Sequence, residues 1–149
     1  MKIEDEIKQP KFRNEYHKLA VNLSYTANWI SRSVGQILKP YKLTPQQFNV
    51  LRILRGQQPK PASINLITER MIDKMSNASR LVDKILAKGL VERQVCPNDR
   101  RQVDVIITEK GSQLLAELDV LVDKYNDKLA TLSTKEAQEL NELLDKLRS

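Results

Sequence analysis

From Ser63 to Ile107 the hydrophobic period changes once, from helical to alternating, and that switch restricts the fold more than any other feature of the chain. Ser63 suits the cap of a short helix reaching Met71, and Ser76 the cap of a second reaching Lys88, with only Ile72–Met75 between them. A connection that short sets two helices at a steep angle, the arrangement of a helix-turn-helix. In the second helix Ala78, Leu81, Val82, Ile85 and Leu86 form an inward stripe, while Asn77, Arg80, Lys84 and Lys88 share the opposite side. Gly89 occupies the place of a left-handed C-cap, with Leu90 positioned to fold back on the helix. Val91, Arg93 and Val95 then alternate, as do Val103, Val105 and Ile107, which gives two short strands. The connection Cys96–Arg101 holds the turn formers Pro97, Asn98 and Asp99, and its adjacent Arg100 and Arg101 make a basic hairpin tip, a wing.

The flanks are helical. Between Lys11 and Leu38 the residues Phe12, Tyr16, Leu19, Leu23, Ala27, Ile30, Val34 and Ile37 recur at threes and fours, and a second stripe of Val21, Tyr25 and Trp29 points to nearly the opposite side. A helix with two apolar surfaces has more to cover than one small domain readily provides. Pro40 ends it, and Thr44-Pro45-Gln46-Gln47 opens the next: Thr44 fits the N-cap, Pro45 the first helical position and Gln47 the reciprocal capping place. Gly56–Pro61 reads as a surface loop. Thr108 caps a helix in which Leu114, Leu115, Leu118, Leu121, Val122, Tyr125 and Leu129 share a face, and Ser133–Glu136 is a capping box before a last helix striped by Ala137, Leu140, Leu144 and Leu147. The predicted fold is mainly α with a small β-hairpin wing: a winged helix-turn-helix module over 40–111, flanked by long helices over 1–39 and 112–149.

With 149 residues the chain is a single domain's length. Its apolar runs are too short to span a bilayer, and Met1–Lys8 mixes both signs without a secretory signal's apolar stretch, so the expectation is a cytoplasmic protein. One cysteine, Cys96, and one histidine, His17, supply neither a disulfide nor a cysteine- or histidine-based metal site. No Gly-rich phosphate loop, nucleophile–base pair or paired carboxylates in an apolar setting stand out, and the reading is a protein that is not an enzyme and carries no cofactor. Charge is uneven: residues 40–111 hold 13 Lys/Arg against 7 Asp/Glu, residues 112–149 hold 5 against 8. A basic block inside a folded module suits a polyanion.

The order of these elements, the run Ser79–Arg93, the wing from Asn98–Arg101 through Ile107–Gly111, and the Leu43–Phe48 opening of the helix before them closely resemble the multiple antibiotic resistance regulator (MarR) family over nearly the whole chain. The resemblance implies a homodimeric transcriptional regulator, most often a repressor. Its terminal helices form the dimer platform, its operator is palindromic double-stranded DNA, and a small aromatic or phenolic effector lowers DNA affinity. It also implies that Arg101 enters the minor groove with Asp99 holding its guanidinium, while Arg100 meets phosphate. Ser76, Asn77, Ser79 and Arg80 would reach base edges or phosphates from the recognition helix, with Lys84 and Lys88 neutralising the backbone. His17, Tyr25, Trp29 and Arg32 would line the effector site. Two departures stand out: Ile72–Met75 lacks the Gly often found in the turn and brings in Asp73, and Ile107 replaces a Leu. Plainer readings are a solvated basic helix face, Arg100 and Arg101 paired to Asp99 or Asp104, Tyr25 and Trp29 packed in a dimer core, and a winged-helix architectural or protein-interaction factor without operator specificity. Cys96 has Arg93, Arg100 and Arg101 near it in sequence, cations that lower a thiol's pKa if they are also close in space; a spare cysteine is ordinarily inert.

Overall fold

A computed structural model describes all 149 residues, which divide into two compact units, Met1–Pro45 and Gln46–Ser149. In the first, a short helix α1 (Ile3–Glu6) precedes the long α2 (Glu15–Leu38). α2 begins later than the stripe from Lys11 predicts, because Asn14 takes an extended backbone and its side-chain oxygen accepts the His17 N–H at 2.9 Å. The stripe carries apolar spacing but no information on which polar residue turns the chain. α1 is tied to α2 by the Lys18 Nζ–Glu4 Oε1 ion pair at 2.6 Å. That hydrogen bond holds the Glu4 carboxyl below its ordinary range and the Lys18 ammonium above its own. A 3-10 turn over Lys39–Tyr41 takes in Pro40, and Lys42, in the left-handed region at φ 55°, ends it. Along α2 only Leu38 is buried, and Tyr16, Leu19, Tyr25 and Trp29 all face solvent.

The second unit opens with α3 (Pro45–Gln57), which buries Gln47, Phe48, Val50, Leu51 and Leu54 and continues through Gly56 where the composition suggested a loop. Ser63 caps α4 (Ile64–Arg70) by accepting the Leu66 N–H at 3.1 Å, as expected. It also belongs to a two-residue strand, β1 (Ala62–Ser63), that sequence reading missed. The next helix, α5 (Ala78–Ala87), is capped by Asn77 and not by Ser76. The shift comes from the turn: Asp73 Oδ1 accepts the Met75 N–H at 3.0 Å and its carbonyl accepts the Ser76 N–H at 3.1 Å, so Ser76 still belongs to the turn. The end of α5 is a Schellman motif: Gly89, at φ 71°, gives its N–H to the Leu86 carbonyl at 2.9 Å, and Leu90 gives its N–H to Ile85 at 3.1 Å.

β2 (Val91–Cys96) and β3 (Asp99–Ile107) form the hairpin, and the antiparallel sheet runs β1-β3-β2. The register pairs Val91 with Ile107, Arg93 with Val105 and Val95 with Val103, the alternation expected, with an irregularity between Val95 and Cys96. Pairing reaches further out than predicted; only Pro97 and Asn98 turn the chain, so Arg100 and Arg101 stand on β3 rather than in a loop. Thr108 caps α6 (Glu109–Asn126), a 3-10 segment follows at Asp127–Thr131, and Ser133 and Glu136 cap α7 (Thr134–Leu147) reciprocally. Leu51, Ile67, Val82, Ile85, Val91, Val105 and Leu115 are fully buried in this unit. No helix is long and apolar enough to cross a membrane.

Two glycines behave oppositely under substitution. A Cβ at Gly111 would lie 2.3 Å from the Leu90 carbonyl oxygen and 2.8 Å from Ile107 Cγ1, whereas one at Gly56 meets nothing within 4 Å. In urea denaturation Gly111→Ala is expected to cost about 1–3 kcal/mol by overpacking against backbone, while Gly56→Ala, inside α3, gains up to about 1 kcal/mol.

Candidate nucleic-acid interface

The start of α4, Ser79 of α5 and the outer part of the hairpin belong to one unit and bound a groove of about 560 Å³, lined on one side by Asn65 and Ser79 and on the other by Arg93, Asp99, Arg101 and Gln102. Arg80 and Lys84 lie exposed on α5, Arg100 and Arg101 exposed on β3. None of these four cations sits in an ion pair. The nearby carboxylates are engaged elsewhere. Asp83 of α5 holds Arg93 of β2, which fixes the helix to the wing. Asp99 Oδ1 accepts the Arg101 backbone N–H at 2.9 Å, so Asp99 shapes the turn and does not clasp the Arg101 guanidinium as the resemblance implied. Buried Asp104 accepts from the Gln102 side chain at 3.4 Å. The plain reading in which Arg100 and Arg101 pair with Asp99 or Asp104 is therefore not what the geometry shows.

Other predicted residues divide by what they already do. Asn77 Oδ1 is occupied by the Arg80 N–H at 3.0 Å. Ser76 Oγ is buried and caps nothing. Ser79 is exposed and lines the groove. Lys88 is half-buried and gives a hydrogen bond to Gln47 Oε1 at 3.3 Å, tying the end of α5 to α3. Cys96 is a half-buried free thiol. The sequence reading passed over two side chains: Ile72 and Met75, in the turn between α4 and α5, are 85% and 93% exposed. Large apolar groups so open beside α5 invite apolar contact with a partner, and the absence of both from either helix's apolar stripe was the available signal.

The residues expected to hold an effector do not all come together. Tyr25 and Trp29 share a groove on α2. His17 stands apart from it: its Nδ1 accepts the Arg13 N–H at 3.4 Å and its ring meets Phe12 edge-on at 5.5 Å. Arg32 is exposed and does not line that groove.

A helix-turn-helix whose second helix runs directly into a three-stranded wing defines the winged-helix class. Residues 43–103 match the model of the MarR family. A MarR transcription factor from Planctomyces limnophilus is 29% identical, with a TM-score of 0.68 over 91% of this chain and 98% of that one. A mutant MarR from E. coli, solved in complex with operator DNA, is 25% identical, with a TM-score of 0.77 over 92% and 98%. The organohalide-sensing regulator RdhR-CbdbA1625, in its 2,4-dichlorophenol-bound form, shares the fold at 20% identity, with a TM-score of 0.83 over 94% of this chain and 83% of its own.

The capping role of Asn77 is open to direct measurement. Asn77→Ala is expected to lower unfolding stability by about 1 kcal/mol while Asn77→Asp keeps it, since either Asn or Asp can accept the Arg80 N–H; chemical denaturation of the two variants reads the difference.

Proposed function

We propose that the protein is a sequence-specific, DNA-binding transcriptional regulator, a cytoplasmic homodimer that represses from a palindromic operator and lets go when a small aromatic molecule binds. The observation that carries this reading is the set of four unneutralised cations, Arg80 and Lys84 on α5 and Arg100 and Arg101 on β3, presented on two adjacent elements of one rigid module. A helix of that kind fits the major groove, about 12 Å wide, while the wing arginine reaches the neighbouring minor groove, where A·T-rich DNA concentrates negative potential. Arg101 is the minor-groove residue, its backbone set by Asp99. Arg100 and Lys84 meet phosphate, Ser79 and Arg80 reach base edges, and exposed Ile72 and Met75 offer apolar surface to thymine methyl groups. Ser76 and Asn77 serve the turn and the cap. The operator complex of the E. coli relative supports DNA as the partner.

Residues 40–111 act as the reader and residues 1–39 and 112–149 as the dimer platform. Apolar side chains left open on α2 and on α7 support the second assignment, because a second copy is the surface that would bury them. Recognition helices of a dimer must meet half-sites about 34–36 Å apart, so a ligand that changes their spacing disengages both together. Leu140→Glu with Leu147→Glu is expected to shift the protein from dimer to monomer in sedimentation equilibrium; an unchanged dimer refutes the platform.

Selection from a random DNA pool tests the whole reading. A palindromic site preferred over scrambled DNA by about 10³ or more at fixed salt is expected. On that site Arg101→Ala should weaken binding about tenfold or more, and Lys84→Ala should weaken all DNA alike and reduce the salt slope by about 1. Salt-sensitive binding with no enriched site would instead establish an architectural factor.

A further inference from the structure

The turn between α4 and α5 carries more apolar surface than its own folding requires. Ile72 and Met75 are 85% and 93% exposed, whereas Met71, which precedes them, is 1% exposed in the core. The polar groups around the two are turned back into the protein. Asn49 of α3 accepts the Ile72 N–H on Oδ1 at 2.9 Å. Asp73 accepts the Met75 N–H on Oδ1 at 3.0 Å and the Ser76 N–H on its carbonyl at 3.1 Å, and Lys74 gives its ammonium to the Glu69 carbonyl. A turn that grips phosphate does so with open N–H groups and cations. Here these N–H groups are occupied, and the exposed Asp73 carboxylate opposes phosphate. What the turn offers outward is apolar. It stands immediately before the first turn of α5, where Ser79 and Arg80 are exposed, and a helix entering the major groove brings those first residues to base edges. The apolar group that a base edge presents in that groove is the C5-methyl of thymine.

We infer that the Ile72–Met75 turn is a reader of the C5-methyl group of pyrimidines, one that separates thymine from uracil and takes 5-methylcytosine where it takes thymine. The inference rests on the proposed binding of double-stranded DNA and deepens it, because it makes the affinity of a site responsive to cytosine methylation. A methyl covered by Ile72 and Met75 leaves water together with their exposed surface, whereas uracil or unmodified cytosine leaves that surface uncovered. Thymine presents its methyl beside an O4 acceptor and 5-methylcytosine beside an N4 donor, a difference to which an apolar side chain is indifferent. The cations of α5 and β3 attract any duplex and carry no such preference.

Duplexes that differ by single methyl groups test this, with affinity read by fluorescence anisotropy at fixed salt. On the operator recovered from the random pool, replacing dT by dU one position at a time removes a methyl and keeps the base pair. At one or more positions in each half-site the replacement is expected to weaken binding about fourfold, the effect of uncovering one methyl. At the same position 5-methyl-dC should bind about fourfold more tightly than dC. Ile72→Thr combined with Met75→Gln, both at side chains outside the core, should bring the two ratios to about one. Equal binding of dT and dU at every position, equal binding of dC and 5-methyl-dC, or ratios that persist in the double variant would each overturn the inference. An alternating dA·dT duplex set against its dA·dU counterpart reads the same preference without any operator. An operator with no dT/dU difference leaves the regulator standing and removes the methyl reading. A difference on the alternating duplexes that the double variant loses, with no enriched site, does the reverse.

Discussion

The module depends on the few residues where the end of α5 meets the start of α6. Leu90 gives its N–H to Ile85 and takes the Thr108 N–H on its carbonyl at 3.0 Å, while the Thr108 hydroxyl donates to the Gly89 carbonyl at 2.8 Å and accepts the Gly111 N–H at 3.1 Å. Lys110 adds a hydrogen bond to the Lys88 carbonyl at 3.0 Å. These bonds close the hairpin at its base, since Leu90 and Thr108 flank β2 and β3 directly. They also answer the two ends of helices that would otherwise leave polar backbone unsatisfied. The approach is close enough that Gly111 has room for no side chain. α5, the wing and α6 therefore take their directions from a single junction of backbone hydrogen bonds joined by those of the Thr108 and Lys110 side chains.

Electrostatic function follows from how the acidic residues are used. Asp83 fixes Arg93, Asp119 holds Arg55 in a forked pair with its nearer contact at 2.5 Å, Asp99 takes a backbone N–H and Asp104 is buried against Gln102. Each anion of this group serves the scaffold. Arg80, Lys84, Arg100 and Arg101, which are in no ion pair, stand on the two elements that project from it.

Local chemistry explains which parts of this arrangement were legible in the sequence. Ser63, Thr108, Gly89 and the Ser133–Glu136 box each announce themselves because a cap is made within three or four residues, and each is where the pattern put it. Asn77 was missed in favour of Ser76 because both are good caps and the choice is made by Asp73, which draws Ser76 into its own turn. β1 was missed because two residues have no period; Ala62 and Ser63 are a strand only by pairing with Val105 and Asp104, some forty residues away. The wing grew longer than predicted for a related reason: polar Asp99 and Arg100 read as turn residues, yet ladder pairing with β2 carries the strand outward to Pro97 and Asn98. At the site, residue types pointed to the right faces, but the partition of Asn77, Ser76 and Lys88 into structural work depends on hydrogen bonds that spacing cannot supply.

The last helix shows what the chain holds in reserve. α7 has fourteen residues and buries none of them, with Leu140, Leu143 and Leu147 at 44%, 63% and 55% exposure. Its support is local: the capping box, in which hydrogen bonds from Ser133 hold the Glu136 carboxyl below its ordinary range, and the Lys135–Glu139 and Asp145–Arg148 pairs on its exposed surface. Devices of that kind contribute a few tenths of a kcal/mol each when exposed, and an isolated helix of this length is marginal in water. Burying one leucine contributes about 1.5–3 kcal/mol, so covering even two of these side chains outweighs all the local support together. A helix written with a clean apolar stripe and left uncovered is thus one whose stability is deferred to association. Under the proposed dimer, the free energy that orders the platform is the same free energy that sets the distance between the two recognition helices.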